Sequence, residues 1–273
     1  KIAIEDDFND IITKAMNGLR LTDRELSKRT GVSAETIKSL ARGELDETSL
    51  PKLAPALELD SNALLRSAMK LWYPRPVKLD GLELFNSRYH SGMTVNAFVV
   101  WDPQSRQAAI FDTGTDAFPL LDFLKTHDLK ATGLFLTHTH PDHIAEADTI
   151  SGRLGIPVHA NAKEPWKGGI SFEEGDTFEI GNLSMRTATT WGHSHGGTTY
   201  VIEGLERPVA VVGDAMFAGS MGGGIISYQD ALQTNREKIL SLPDDTVLCP
   251  GHGPFTSVRE EKRNNPFFPE FKN

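Results

Sequence analysis

From Phe8 to about Leu71 the apolar residues recur at helical spacing: Ile11, Ile12, Ala15, Met16 and Leu19 share one stripe, and Leu57, Leu59, Leu64 and Leu65 follow later. This part of the chain reads as all helix. Within it, "LTDRELSKRTGVSAETIKSLARG" (Leu21 to Gly43) predicts a helix capped at Thr22, a sharp turn at Gly31 and a second helix capped at Ser33. Glu25 gives the first cap a capping-box partner, whereas Thr36 gives the second none. Gly31 suits the turn because it tolerates positive φ.

"LWYPRPV" (Leu71 to Val77) then breaks the periodicity with Pro74 and Pro76. The expected division is a helical domain over 1–71, a linker over 72–77 and a second domain over 78–273. Beyond the break come short apolar runs that predict strands at Asn96–Asp102, Ala108–Gly114, Thr132–His138, Thr199–Gly204, Pro208–Asp214 and Thr246–Gly251. Helical stretches such as "AFPLLDFLKTHD" and "YQDALQTNREKILSL" lie between some of them, so the second domain is mixed α and β.

Composition narrows the partners. The formal charge of −9 argues against indiscriminate binding to nucleic acid or anionic membrane, so any DNA contact must be local. One cysteine, Cys249, excludes an intrachain disulfide and a cysteine-rich zinc module, and in its apolar strand it reads as a buried structural thiol. No run of about 18 apolar residues predicts a membrane span. The acidic start "KIAIEDDFND" lacks the apolar centre of a secretory signal, and the expectation is a cytoplasmic protein.

"LFLTHTHPDHIAEA" changes the picture. His138, His140, Asp142 and His143 crowd six positions directly after a predicted strand, a density that core packing does not explain. Other strands also run out into potential ligands: "WGHSHGG" supplies His193, "VVGDAMFAGS" supplies Asp214 and "LCPGHGP" supplies His252. Nitrogen and carboxylate donors of this kind bind zinc, iron or manganese, and no thiolate forces the choice.

The ordered set HxHxDH, then His, Asp and the His of PGHG, with "FDTG" at Phe111–Gly114, resembles the metallo-β-lactamase superfamily from roughly Val77 onward. The resemblance implies an α+β chain whose second domain is an αββα sandwich with two metals, zinc foremost, at one edge of its sheets. It implies that His138, His140 and His193 hold one metal, that Asp142, His143 and His252 hold the other, and that Asp214 bridges them. Asp112 is expected to orient a ligand histidine. The implied chemistry is hydrolysis by a hydroxide shared between the metals, with Asp214 and Asp142 as the catalytic carboxylates, Asp142 taking up a proton.

Within that superfamily β-lactamases lack the bridging carboxylate, while thioesterases, lactonases and many phosphodiesterases carry it. "GDAMFAGSMGG", "CPGHGP" and "VREEKRNNPFF" resemble the short glyoxalase II-like hydrolases, which favours a thioester or related small-molecule substrate. Only 21 residues follow His252, too few for the helical domain that binds glutathione in true glyoxalase II. A mononuclear iron persulfide dioxygenase using the positions of His138, His193 and Asp214 is the alternative. His195 replaces the residue usual in this element and is a candidate substrate contact. The glycine-rich "GSMGGG" reads as a mobile loop near the metals.

The helical segment resembles the Cro/CI-type helix-turn-helix of transcriptional repressors. Arg20, Arg24, Lys28, Arg29, Lys38 and Arg42 against Asp23, Glu25 and Glu35 give it a local charge of +3. The resemblance implies a homodimer on double-stranded DNA, with Ser33, Glu35, Thr36 and Lys38 of the second helix as base or phosphate contacts. Glu35 would repel phosphate unless it accepts from a cytosine amino group. Without DNA, the same bundle would pair protomers or cover the active site. A DNA-binding regulator whose metallo-domain senses a ligand is the rival from another class.

Overall fold

The structure, a computed structural model, describes residues 1–272. Five helices open the chain: α1 (Phe8–Gly18), α2 (Asp23–Thr30), α3 (Ala34–Ala41), α4 (Leu50–Leu53) and α5 (Ser61–Ala68). Thr22 caps α2 in a box with Glu25, Ser33 caps α3 by accepting from Thr36 N, and Gly31 ends α2 at φ 73°. A second box, Asp7 with Asp10, starts α1, and the sequence reading missed it.

Two six-stranded sheets follow. The first runs β1 (Leu82–Arg88), β2 (Thr94–Trp101), β3 (Gln107–Phe111), β4 (Lys130–Phe135), β5 (Val158–Asn161) and β6 (Ile170–Phe172) in spatial order. The second runs from β12 (Thr256–Ser257) through β11 (Val247–Pro250), β10 (Val209–Gly213), β9 (Thr198–Glu203) and β8 (Leu183–Thr189) to β7 (Thr177–Ile180). β3, β4, β5 and β6 are parallel neighbours, as are β10 and β11, and the remaining pairs are antiparallel. All six expected strands form, each shorter at its C-terminal end, because there the chain leaves the sheet to present polar side chains. The sequence missed β1, β5, β6, β7, β8 and β12, most of which are short or, like "LELFNSR", carry polar residues along a half-exposed edge.

The period-two alternation of the strands divides the core into three layers. Val209 and Val211 of β10 point between the sheets with Phe98, Phe111, Phe135, Tyr200 and Cys249. The outer face of the first sheet is covered by α6 (Phe118–Thr126) and α8 (Ala147–Leu154), through Leu120, Leu124 and Ile150. Ala210 and Val212 of β10 point the other way, into a cluster that contains Tyr228 and Leu232 of α9 (Tyr228–Thr234), Val258 of α10 (Val258–Asn264) and the apolar stripe of the opening helices, Ile11, Ile12, Leu26, Ile37 and Leu40 among them. The helical module therefore shares one hydrophobic core with the outer face of the second sheet. At Gly18 the approach is so close that an added Cβ would lie 2.2 Å from the Tyr228 ring.

The helix expected over 228–242 stops at Thr234 and widens into a π turn, Asn235–Ile239. Buried Asn235 donates from Nδ2 to the Ala215 carbonyl at 2.6 Å, one residue after a candidate ligand. "GSMGGG" also departs from expectation: Ser220 and Met221 are buried, Gly219 N donates to the buried Glu261 carboxylate, and Asn265 Nδ2 donates to Ser220 O at 2.7 Å. Glycine content suggested mobility, but these polar anchors hold the segment against the core.

Candidate metal centre

β4 ends at Phe135, and within eight residues the chain has presented His138, His140, Asp142 and His143 at the sheet edge. Pro141 starts α7 (Pro141–Ile144), a single turn that carries Asp142 and His143. The parallel strands β10 and β11 end at the same edge, so Asp214 follows Gly213 and His252 follows Pro250 by two residues. His193 comes from the turn between β8 and β9. Parallel neighbours release their C-terminal loops on one side, which is why residues more than a hundred positions apart converge.

His138, His140, His193 and Asp214 form one group of donors and Asp142, His143 and His252 another, with the ligand atoms of each group within 4.8 Å of one another. Asp214 faces both: its Oδ2 lies 3.9 Å from His138 Nε2, 3.4 Å from His193 Nε2 and 3.4 Å from His252 Nε2, and its Oδ1 lies 3.3 Å from His143 Nε2. Four of the rings are oriented from behind. Nδ1 of His138 meets Thr137 Oγ1 at 3.0 Å, of His143 Asp112 Oδ2 at 2.8 Å, of His193 Gly223 O at 2.9 Å, and of His252 Thr94 O at 2.6 Å. Each arrangement turns Nε2 inward.

Metal ions fit this donor set. Among the described residues, His138 Nε2, His143 Nε2 and Asp214 Oδ1 are buried without a hydrogen-bond partner, although leaving such atoms unsatisfied is costly. The charges point the same way. Burial would push His143 down, but the carboxylates of Asp214 and Asp112 outweigh it and raise it to about 10. The same contest, decided by Asp214 and Asp142, lifts His252 to about 11. Burial opposes ionisation of Asp214 too, yet His143 and His252 hold it well below the usual carboxylate range. His138 falls well below its ordinary value through burial and the neighbouring His143, and burial lowers His193. Without metal, the cluster is a set of carboxylates sharing protons with two imidazoles.

The backing residues were only partly visible in the sequence. Asp112, at the end of "IFD", accepts from Thr137 N and Thr137 Oγ1, each at 2.7 Å, as well as from His143. Asn96 was not singled out; it is buried on β2 and donates to the carbonyls of Pro250 and Gly253, each at 2.8 Å, bracketing His252 across the two sheets. Glu164 was missed as well. One carboxylate oxygen accepts from Thr139 N and Oγ1 at 2.7 and 2.6 Å, and the other accepts from Gly196 N at 2.8 Å, tying the His138–His140 turn to the His193 turn. No motif surrounds it in "NAKEPW".

His195 is exposed and stands outside the donor groups. Ser33, the cap of α3, is exposed, as are Glu35 and Lys38 within the helix, and Thr36 is half-buried; none of them is part of the metal cluster. No helix among the described residues is long and apolar enough to cross a membrane.

Known proteins resemble this chain in sequence and fold. A sequence profile described as the Metallo-beta-lactamase superfamily matches residues 91–252. The chain is 31% identical over 189 residues to the probable metallo-hydrolase YqgX of Bacillus subtilis (strain 168), covering 60% of this chain and 89% of that protein. It is 28% identical over 197 residues to the hydroxyacylglutathione hydrolase GloC of Haemophilus influenzae, covering 63% and 92%. Among solved structures, the BLEG-1 B3 metallo-beta-lactamase superposes with a TM-score of 0.58 at 27% identity, over 68% of this chain and 99% of that one. The matched profile spans more than half of the sequence and ends on the candidate donor His252, and the chain belongs to the metallo-beta-lactamase superfamily.

Proposed function

We propose that the chain is a dinuclear metal-dependent hydrolase acting on a thioester or a related ester or lactone. The observation that carries this reading is Asp214, one carboxylate facing imidazoles of both donor groups from the floor of the site. The similarity to a hydroxyacylglutathione hydrolase supports the thioester class. Two divalent ions held there would lower the pKa of a shared water toward neutrality and polarise the acyl carbonyl. Zinc is the first expectation, and iron or manganese suit the same nitrogen and oxygen donors.

The chain's own residues supply the rest. Thr137, Asp112, Gly223 and Thr94 fix four rings in advance, so little reorganisation is left for the reaction. Asp142 is the carboxylate that would take up the proton lost by the attacking hydroxyl and pass it to the leaving group.

Elemental analysis of protein expressed without chelators, followed by thioester, lactone and β-lactam panels, tests the reading. Two metals per chain and chelator-sensitive thioester or lactone turnover are expected. One iron per chain with oxygen consumption on persulfides would overturn it in favour of the dioxygenase, and β-lactam turnover alone would move it to the lactamases.

The helical module suggests a second role. Ser33, the cap of α3, and Glu35 and Lys38 within it lie in solvent, which supports a duplex-DNA contact. Genomic fragments should be retained at low salt and released as salt rises, and no enrichment at low salt would remove that role.

A further inference from the structure

The matched profile begins at residue 91, so the helical module lies outside the part shared with the family, yet it reaches the metal centre. Lys14 of α1 forms an ion pair with Asp6, and the same Asp6 oxygen accepts from Ser220 Oγ. Lys14 Nζ also donates to the carbonyl oxygen of Met221 at 2.9 Å. The other end of that same peptide unit is Gly222 N, which donates to the backbone carbonyl of Asp214 at 3.1 Å. A peptide is planar, so fixing its carbonyl direction fixes its N–H. One residue on, Gly223 O accepts from His193 Nδ1 at 2.9 Å.

The fit is close. An added Cβ at Gly222 would stand 2.0 Å from Asp214 O and 2.9 Å from His193 Nδ1, so this turn tolerates little displacement. The Lys14 ammonium also lies 5.1 Å from the centroid of the Phe217 ring, whose edge-to-face partner at 5.5 Å is His252. The Lys14 side chain is 22% exposed and that of Asp6 only 8%, so the pair is shielded from water and its geometry is constrained.

We propose that Lys14 is a positioning residue of the metal centre: from the helical module it orients the Met221–Gly222 peptide, and through it the loop that sets Asp214 and His193. This rests on the metal-centre reading above. It gives the fused module a part in the hydrolase site that is separate from any contact with DNA.

The test uses the full chain loaded with Co(II) or zinc. Because K14M alone leaves Asp6 buried without its cation, the double variant K14M/D6N is measured beside it, and K14R restores a donor. Chelator competition should show K14M/D6N holding metal about 10-fold to 100-fold more weakly, the span usual for residues that orient ligands. Its Co(II) absorption should change while the far-ultraviolet circular dichroism stays that of the wild type, and K14R should recover most of the affinity. S220A, which removes one hydroxyl from the same knot, should shift affinity in the same direction by less. A folded K14M/D6N or S220A with wild-type affinity and Co(II) spectrum would overturn the proposal. Failure of the wild type itself to bind metal would instead overturn the metal-centre reading and this inference with it.

Discussion

The two rims of the metal centre are held by different means. On the first sheet, His138, His140, Asp142 and His143 lie within six residues, and their supports come from the same sandwich: Asp112 behind Thr137 and His143, Glu164 behind Thr139. On the second sheet, Asp214 and the turn that holds His193 depend on Gly222 and Gly223, in a loop gripped by Asn235, Glu261, Asn265 and the helical module's Asp6 and Lys14. A dense local motif needs few distant supports, whereas a single ligand at a strand end needs its whole loop immobilised. The first rim carries the dense local motif, and the second is the one that the opening helices touch.

The largest effect should come from the residue that faces both donor groups. D214A should lose metal from both donor groups and drop turnover to background, read by elemental analysis and thioester assay; full activity would refute the bridging role. Next is D112A, which frees His143 and Thr137 together. It should weaken metal binding by about 10-fold to 100-fold, measured by chelator competition. E164Q tests a support that spans both rims. Gln offers one acceptor oxygen where Glu164 takes donors on both, so either the Thr139 or the Gly196 contact is lost. A loss of about 10-fold in metal affinity is expected, confined to the His138–His140–His193 position, and an equal loss at both positions would contradict a local role for Glu164.

Acidification should act on the other group. With His143 at about 10 and His252 at about 11, both rings hold protons at neutral pH in the metal-free protein, and metal must displace them. Affinity there should rise by about tenfold per pH unit for each proton displaced. Chelator competition at several pH values with proton-release measurements checks this, and a pH-independent affinity would contradict it.

A further effect, on stability rather than on metal binding, concerns the loop's buried anchor. Burial outweighs the donors Thr256, Asn265 and Gly219 and raises Glu261 to about 7. A carboxyl raised on folding binds more protons folded than unfolded, so its contribution is full below its unfolded value near 4.5 and is lost as pH rises toward 7. The change is on the order of 3 kcal/mol. Denaturant titrations of the metal-free protein should show E261Q with a flatter pH dependence than wild type over that window, and parallel curves would exclude it.

The candidate donors were legible in the sequence because each sits at or just after a strand-to-loop transition, where a polar group that binds nothing has little reason to follow an apolar run. Helix caps were legible for a similar reason, since Thr22 with Glu25 and Ser33 act on their own backbone. The short edge strands were not, because their residues answer to neighbours across the sheet rather than to a local period.

By itself, then, the sequence determined the helical opening, the apolar strands and the seven candidate donors, all of which depend on spacing along the chain. Only the tertiary structure decided that the opening helices share a core with the second sheet, that Glu164 joins two turns, that a glycine-rich loop is anchored, and that Lys14 reaches a peptide 207 positions away. Those contacts join residues with no fixed separation in sequence, and burial and hydrogen-bond geometry, which select them, exist only once the chain has folded.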